Sequence, residues 1–196
     1  MCKNYFLSFV LLASTNLMAQ EAFTLSEDLY IGEALTVAGD FTITGNAQVV
    51  VGPGATLEVG GDLTQNSTNN LQLQADGSGY AQMKISGSYS GSGSVEHQAN
   101  LSTGWRMIGA SMNATTASYF GNVGTTGSGH TVNTQNLFSW DGTQYVNVVD
   151  ATAAISPGTG YFGYVGTFGF KAAGVASFTG TPNTSVTPSL NYGTAA

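Results

Sequence analysis

The stretches LTVAGDFT (residues 35–42), LEVGGDLT (residues 57–64) and MKISGSYS (residues 83–90) are three versions of one pattern, and they decide the fold. Each version has an apolar residue followed two positions later by Val or Ile. After one variable residue comes glycine, then Asp or Ser, then an aromatic residue or Leu, and Thr or Ser ends the pattern. The three stretches begin at residues 35, 57 and 83, and repeats of this length are typical of solenoids. In a solenoid no coil buries its own apolar face, and stacked neighbours share one core.

Each version begins a repeat unit with three short apolar segments separated by glycine-containing turns. This plan predicts a parallel β-helix, or β-solenoid, over residues 20–98, with coils that start near residues 35, 57 and 83. Leu35, Val37, Phe41 and Ile43 alternate with polar residues and are expected to point inward. Residues 23–34 would form an N-terminal cap or an incomplete coil. The alternative is three unrelated hairpins of a sandwich.

The spacing becomes irregular after residue 98, where we predict a β-sandwich-like domain over residues 99–196. Asp141-Gly142 between two apolar runs indicates a β-hairpin. A short helix is expected over residues 114–120, and residues 121–130 form a Gly, Thr and Ser loop. Strands are predicted at WRMI (residues 105–108), LFSW (137–140), QYVNVV (144–149), GYFGYV (160–165) and VASFTG (175–180). The predicted class is therefore all-β throughout.

The first nineteen residues have the plan of a secretory signal peptide. Lys3 supplies one positive charge, residues 5–13 are apolar, and Ala19 is a small residue at the expected cleavage position. The apolar run is too short for a membrane span, and no later run reaches the length a span needs. Cys2, the only cysteine, precedes the apolar run, so a lipid anchor is not expected. We therefore predict a secreted or cell-surface protein.

Charge is scarce and mostly negative. Charged residues make up 8% of the chain, and the formal net charge is −7 at pH 7. Beyond residue 19 the only Lys and Arg residues are Lys84, Arg106 and Lys171. Such a surface repels phosphate backbones and anionic lipid, so neither nucleic acid nor an anionic membrane face is an expected partner.

A series of motifs resembles secreted surface proteins of the Bacteroidota, over roughly residues 35–185. In such proteins solenoid coils lead into a Trp-containing strand, an aromatic-Asp-Gly hairpin, a Gly-x-Gly-Tyr strand and a Phe-Thr-Gly-x-x-Asn-Thr segment. The matching stretches here are Gly104-Trp105-Arg106, Ser139-Trp140-Asp141-Gly142, Gly158-Thr159-Gly160-Tyr161 and residues 178–184.

The resemblance implies export by the type IX secretion system and an adhesin-like role. Related proteins carry a C-terminal sorting domain, which is not recognisable in this sequence. They also continue into a second Trp-containing strand, whereas this sequence ends at Tyr192-Gly193-Thr194-Ala195-Ala196. We therefore expect a fragment whose second domain is incomplete.

Asp40 and Asp62 form the one pair of carboxylates that the repeat aligns. Polysaccharide lyases and hydrolases on β-helices need clustered acids, but the third coil has Ser88 at this position. A turn residue that bonds its own backbone is the preferred interpretation. The calcium-binding Gly-Gly-x-Gly-x-Asp repeat is absent, and Asp76 and Asp150 lie in separate turns. His97 and His130 lack ligands at chelating spacing, so no metal site, cofactor or catalytic residue is predicted.

Aromatic residues are crowded into the second half. Alternation favours core positions for Trp105 and Tyr161, whereas Trp140 and Tyr145 flank the predicted turn and are the best exposed candidates for ligand contact. Exposed rings of this kind are used to bind sugars.

The predicted function is that of a non-catalytic, adhesin-like surface protein, with the solenoid as a spacer and the second half as a presentation or binding module. Extracellular glycans are the expected partner class. A carbohydrate-binding module of a larger secreted enzyme is the first alternative, and a β-helix polysaccharide lyase or hydrolase is the second.

Overall fold

Short runs of alternating apolar residues form the strands of the first half, and glycine-containing turns separate them. The computed structural model describes residues 22–69, 71–121, 123, 135–148, 150, 152–155, 157–167 and 169–182. The described residues fall into two compact units that divide between Val95 and Glu96. The first unit contains β1 (Ala22–Leu25), β2 (Leu29–Ile31), β3 (Ala34–Val37), β4 (Asp40–Ile43), β5 (Val49–Val51), β6 (Thr56–Val59), β7 (Leu63–Gln65), β8 (Leu71–Leu73), β9 (Gln82–Ile85) and β10 (Tyr89–Gly91).

These strands form a parallel β-solenoid. Strands one coil apart pair in parallel and give three sheets, with the orders β1-β4-β7-β10, β2-β5-β8 and β3-β6-β9. Leu35 is in register with Leu57, and Leu57 with Met83, so the three repeats lie one above another. The prediction of stacked coils is confirmed, and the alternative of unrelated hairpins is wrong. Strands β1 and β2 form the incomplete coil expected before residue 35.

The solenoid core consists of the inward side chains of every coil. Phe41, Leu57, Leu63 and Val51 are completely buried, and Leu71 is 1% exposed. Val37, Phe41 and Ile43 are buried as predicted, whereas Leu35 on β3 is only half-buried. Stacked coils therefore share one apolar interior, which no single coil could close.

Two buried polar residues, Gln65 and Ser67, are found among the described residues of this unit, and Gln65 has the larger side chain. Gln65 at the end of β7 is only 1% exposed, and its Nε2 donates to the carbonyls of Asn69 and Ser94. The Tyr89 hydroxyl lies 2.8 Å from Gln65 Oε1 and donates to it. Both ends of the amide are thus satisfied, as a buried polar side chain requires.

The second unit is built from antiparallel sheets. Its elements are β11 (Val95–Leu101, whose first residue belongs to the solenoid unit), β12 (Gly104–Gly109), β13 (Met112–Thr115), α1 (Thr116–Phe120), β14 (Leu137–Trp140), β15 (Tyr145–Asn147), β16 (Ala154–Ile155), β17 (Gly160–Val165) and β18 (Gly174–Pro182). One sheet has the order β12-β17-β14-β15. In the other sheet, the neighbouring strands of this unit have the order β11-β18-β13-β16.

Aromatic side chains fill the core of the second unit. Tyr119 on α1 packs against Phe178 of β18, with ring centroids 5.0 Å apart. Its neighbour Phe120 packs against Tyr161 of β17 at 4.8 Å and against Phe170 at 5.5 Å. The helix thus joins the cores of both sheets, and Tyr161 is buried as predicted.

Most predicted elements of the second half are present where the structure describes it. The strands at residues 105–108, 137–140, 160–165 and 175–180 are confirmed, and the strand expected over residues 144–149 is the shorter β15. The segment predicted as helix over residues 114–120 is a strand end followed by the short helix α1. Several predicted features lie outside the described residues: the predicted signal peptide over residues 1–19 with Cys2, most of the loop over residues 121–130 with His130, and the tail after Pro182.

Candidate functional site

The stacked aspartates are the pair that the repeat pattern offers for catalysis, and the structure brings them together. Asp40 Oδ1 accepts the main-chain N–H of Asp62 at 2.8 Å. Asp62 Oδ1 in turn accepts the main-chain N–H of Ser88 at 2.7 Å and its hydroxyl at 3.0 Å. The prediction that these carboxylates bond their own turn is wrong, because each bonds the next coil instead. We call Asp40, Asp62 and Ser88 the aspartate ladder.

The aspartate ladder has the electrostatics of a structural contact. Hydrogen bonds from the Ser88 main chain and then its hydroxyl hold the pKa of Asp62 below its usual value. A carboxylate held ionised by donors cannot act as a general acid near neutral pH. The ladder therefore ties coil to coil through hydrogen bonds from one coil to the next.

Three further aspartates, Asp76, Asp141 and Asp150, lie in turns, and each accepts local hydrogen bonds. Asp141 Oδ1 accepts the main-chain N–H groups of Thr143 and Gln144 at 2.8 and 2.9 Å. These donors, Gln144 first, lower the pKa of Asp141, and equivalent contacts lower those of Asp76 and Asp150. Among the described residues, no group of three His, Cys, Asp or Glu side chains is arranged to hold a metal ion.

His97 and Glu96 are neighbours in β11, and neighbouring residues of a strand point to opposite sides. The His97 ring lies 6.3 Å from the Phe178 ring, and burial lowers the pKa of this imidazole. Glu96 Oε1 accepts the Ser177 hydroxyl at 2.7 Å. Lys171 lies over the Phe178 ring, and burial lowers its pKa although Glu96 opposes the effect. Each of these groups therefore has a contact partner within the second unit.

The open face of the β12-β17-β14-β15 sheet is the second candidate. Opposite residues of an antiparallel pair share a face, so Trp105 shares one with Tyr164, and Met107 with Phe162. Phe138 is opposite Phe162 on one side and Asn147 on the other, and Trp140 is opposite Tyr145. We call this set the aromatic face; it consists of Trp105, Met107, Phe138, Trp140, Tyr145, Asn147, Phe162 and Tyr164.

The rings of the aromatic face form one continuous series of contacts. Trp140 and Tyr145 have centroids 5.1 Å apart, and Tyr145 lies 5.6 Å from Phe162. Phe162 stacks on Trp105 at 5.0 Å with only 17° between the ring planes. Trp105 also contacts Tyr164 at 5.6 Å and Phe138 at 5.8 Å. Contacts between rings hold each side chain in place, which prepares the surface for a ligand.

Large hydrophobic side chains on this face are open to solvent. Trp105 is 44% exposed, Trp140 and Tyr145 are each 49% exposed, and Met107 is 63% exposed. The other side of the same sheet is buried, because Leu137, Tyr161 and Val165 face the core. A sheet with one buried face would ordinarily carry polar residues on the other, so the exposed rings make this face a candidate contact surface.

Trp140 and Tyr145 are thus exposed as predicted, but the prediction for Trp105 is wrong. Strand alternation and ring size both favour a core position for Trp105, yet it lies in an edge strand on the open side of its sheet. Phe138 and Phe162 had no predicted role. Alternation along β17 could have placed Phe162 and Tyr164 on the open face. Both alternate with Tyr161 and Val165, which are buried on the opposite side of the strand.

The aromatic face carries few polar groups and no charge. The side chain of Asn147 is partly exposed, but its Oδ1 is buried and has no hydrogen-bond partner among the described residues. Arg106 is opposite Gly163 in the register and therefore belongs to the other side of β12. It donates to Ser102 and Thr103 there. The face therefore offers ring surfaces, tyrosine hydroxyls and one amide for contact.

Comparison of the chain with protein-family models, with curated proteins and with solved structures finds no match. Among the described residues, none belongs to a helix that is long and apolar enough to cross a membrane. The function is therefore inferred from the chemistry of the aromatic face and of the coils.

Proposed function

We propose that the protein is a non-catalytic, adhesin-like protein of the cell exterior whose second unit binds glycans through the aromatic face. One observation carries the proposal: Trp105, Trp140 and Tyr145, each about half exposed, lie on one uncharged sheet face in an unbroken series of ring contacts. Aromatic rings present an apolar surface that suits the C–H groups on the flat side of a pyranose.

Within this proposal the solenoid serves as a spacer. Parallel coils in register extend by repetition, and the aspartate ladder satisfies main-chain N–H groups between them. The carboxylates that a β-helix lyase or hydrolase would need are engaged in these contacts, which argues for a structural use of the coils.

The signal-peptide pattern of residues 1–19 supports work outside the cell, and the resemblance to Bacteroidota surface proteins supports type IX export. Fractionation of a bacterium that expresses the gene tests this part. Recovery of the protein in the medium or on the outer surface is the expected result, and retention in the cytoplasm would contradict it.

Binding to a glycan array is the direct test of the glycan proposal. We expect binding to at least one glycan, and we expect Trp140→Ala and Tyr145→Ala each to weaken it about tenfold or more. Tyr80→Ala is the matched control, because Tyr80 is an exposed aromatic residue, at 62%, on the solenoid unit. A blank array, or equal loss in the Tyr80 variant, would count against the aromatic face as the binding site.

The same face supports the alternative of a carbohydrate-binding module within a larger secreted enzyme. The two proposals differ in what adjoins this chain in the gene. A neighbouring catalytic domain would favour the module, and a sorting domain would favour the adhesin-like protein.

A further inference from the structure

We infer that the aromatic face binds an uncharged oligosaccharide chain that lies across its four strands, rather than a single sugar or an acidic glycan. This inference rests on the proposed function and specifies the ligand. Three features of the aromatic face support it: its extent, its charge and the kinds of side chain that form it.

The extent of the aromatic face exceeds one sugar ring. Trp105 is on β12 at one edge of the sheet, and Tyr145 is on β15 at the other. Phe162 lies between these two rings, with its centroid 5.0 Å from that of Trp105 and 5.6 Å from that of Tyr145, so the series of rings is longer than one pyranose. A single pyranose covers only part of that series, whereas a chain of several pyranoses contacts both edges.

The charge of the aromatic face excludes acidic ligands. None of the eight residues that define it carries a charge, and the described cation on β12, Arg106, belongs to the opposite side. The nearest described acid in sequence, Asp141, is engaged in its turn beside Trp140. A uronic acid or sulfated sugar would lose hydration at this face without gaining a cationic partner, in a protein of net charge −7.

The kinds of side chain give a sugar both apolar and hydrogen-bonding contacts. Six of the eight residues are aromatic and one is methionine. Side chains of these kinds are also enriched at interfaces between proteins, so a second copy of the protein is one outcome of the test below. The hydroxyls of Tyr145 and Tyr164 supply hydrogen-bonding groups among the rings, as sugar hydroxyls require.

An array of neutral and acidic oligosaccharides from one to six units long tests this inference with the full chain. We expect bound glycans to be neutral, and we expect affinity for the preferred series, measured by calorimetry, to rise about tenfold or more between one unit and four. Trp105→Ala should weaken the longer chains about tenfold but leave the single unit within about twofold, because one sugar does not need both edges.

The outcomes separate this inference from the proposed function. Preference for acidic glycans, or full affinity for a single sugar, overturns the inference and leaves glycan binding in place. A blank array overturns both. A dimer detected by sedimentation that Trp105→Ala and Trp140→Ala both dissociate would assign the face to a second copy and would also overturn both.

Discussion

Asp40 Oδ1 accepts the main-chain N–H of Asp62 at 2.8 Å, although 22 residues separate the two aspartates. Asp62 repeats the contact with Ser88, 26 residues further on. Each aspartate thus satisfies a donor at the corner of the next coil, where no strand partner is available. Asp40 and Asp62 accept from the next coil at this position of the repeat, and Ser88 at the same position of the third coil donates to Asp62.

The aspartate ladder predicts acid sensitivity of the solenoid. The pKa of Asp62 is lower in the folded protein than its ordinary value of 3.8, so the folded state holds this group ionised where the unfolded chain is already taking up a proton. Its stabilising contribution is therefore complete above about pH 4 and is lost as the pH falls through the lower folded pKa. Asp62→Asn should lower the urea midpoint at pH 7.

The control for this prediction is internal. The difference in urea midpoint between wild type and Asp62→Asn should shrink as the pH falls from 7 to about 2, because both proteins then carry an uncharged group at the site. A difference that is unchanged across this range would show that the charge of Asp62 has no part in coil stacking.

The close approach of coils at the ladder makes Gly61 irreplaceable. A Cβ on Gly61 would lie 2.1 Å from Asp40 Oδ1 and 2.8 Å from the carbonyl carbon of Gly39. Main chain cannot move aside there without separating the coils, so Gly61→Ala should destabilise the protein by about 2 kcal/mol. Gly77→Ala is the control, because nothing lies within 4 Å of its Cβ position. Its urea midpoint should stay close to that of the wild type.

The solenoid was predictable because its physics is periodic. Leu35, Leu57 and Met83 occupy the same place in successive repeats, and a pattern that recurs at coil length is typical of stacked coils. The ladder was not predictable, because the sequence shows that Asp40 lies at a corner but not whether its side chain turns toward its own backbone or the next coil. Only the stacking distance decides between these two orientations.

The aromatic face was partly predictable for a related reason. Trp140 and Tyr145 flank a turn, and turn-flanking residues are usually exposed. Trp105 needed a different kind of information, namely which side of its strand faces the core. Its strand is at a sheet edge and is exposed at four of its six positions, so the alternation that reveals an inward face is missing there.

Because of the hydrogen bond between Tyr89 and Gln65, we expect removal of the Tyr89 hydroxyl to lower the stability of the protein. Tyr89→Phe removes the donor to the buried Gln65 Oε1 and should cost about 1–2 kcal/mol in urea unfolding. Tyr80→Phe, at a residue that is 62% exposed, is the matched control and should be nearly neutral. Equal midpoints for the two variants would contradict the buried contact.

Burial also raises the pKa of Tyr89 to about 12. The folded protein therefore keeps this phenol protonated where the unfolded chain ionises, and the contribution of Tyr89 to stability is present below pH 10 and lost as the pH rises toward 12. Tyrosinate absorbance, compared between wild type and Tyr89→Phe, should show Tyr89 ionising with a pKa of about 12. A phenol that titrates near its ordinary pKa in the folded protein would be inconsistent with this environment.

His97 should weaken the second unit on mild acidification. Burial against Phe178 lowers the pKa of its imidazole below the ordinary 6.5, so the unfolded chain binds a proton that the folded chain resists. Stability is then complete above pH 6.5 and decreases as the pH falls through the folded pKa. His97→Phe keeps a ring at this position and should remove that decrease. NMR titration of the His97 ring protons gives the pKa directly, and a value of 6.5 or above would contradict the assignment.

The two tryptophans should both be accessible in the folded protein. Trp140→Phe leaves Trp105 as the only tryptophan, and Trp105→Phe leaves Trp140. Their side chains are 44% and 49% exposed, so acrylamide should quench the two variants to similar extents, each roughly half of that in the urea-unfolded chain. A bound glycan should reduce quenching in both variants, because its chain covers both edges of the aromatic face.

Trp105 decides between the two interpretations of this sheet. If Trp105 were a core residue, as its size alone predicts, its fluorescence would resist acrylamide and Trp105→Ala would cost about 3–5 kcal/mol, as loss of a buried tryptophan does. On the open face its removal leaves no internal cavity and costs far less. Quenching and unfolding measured on the same variant therefore separate a ring that stabilises the protein from a ring that is available to a ligand.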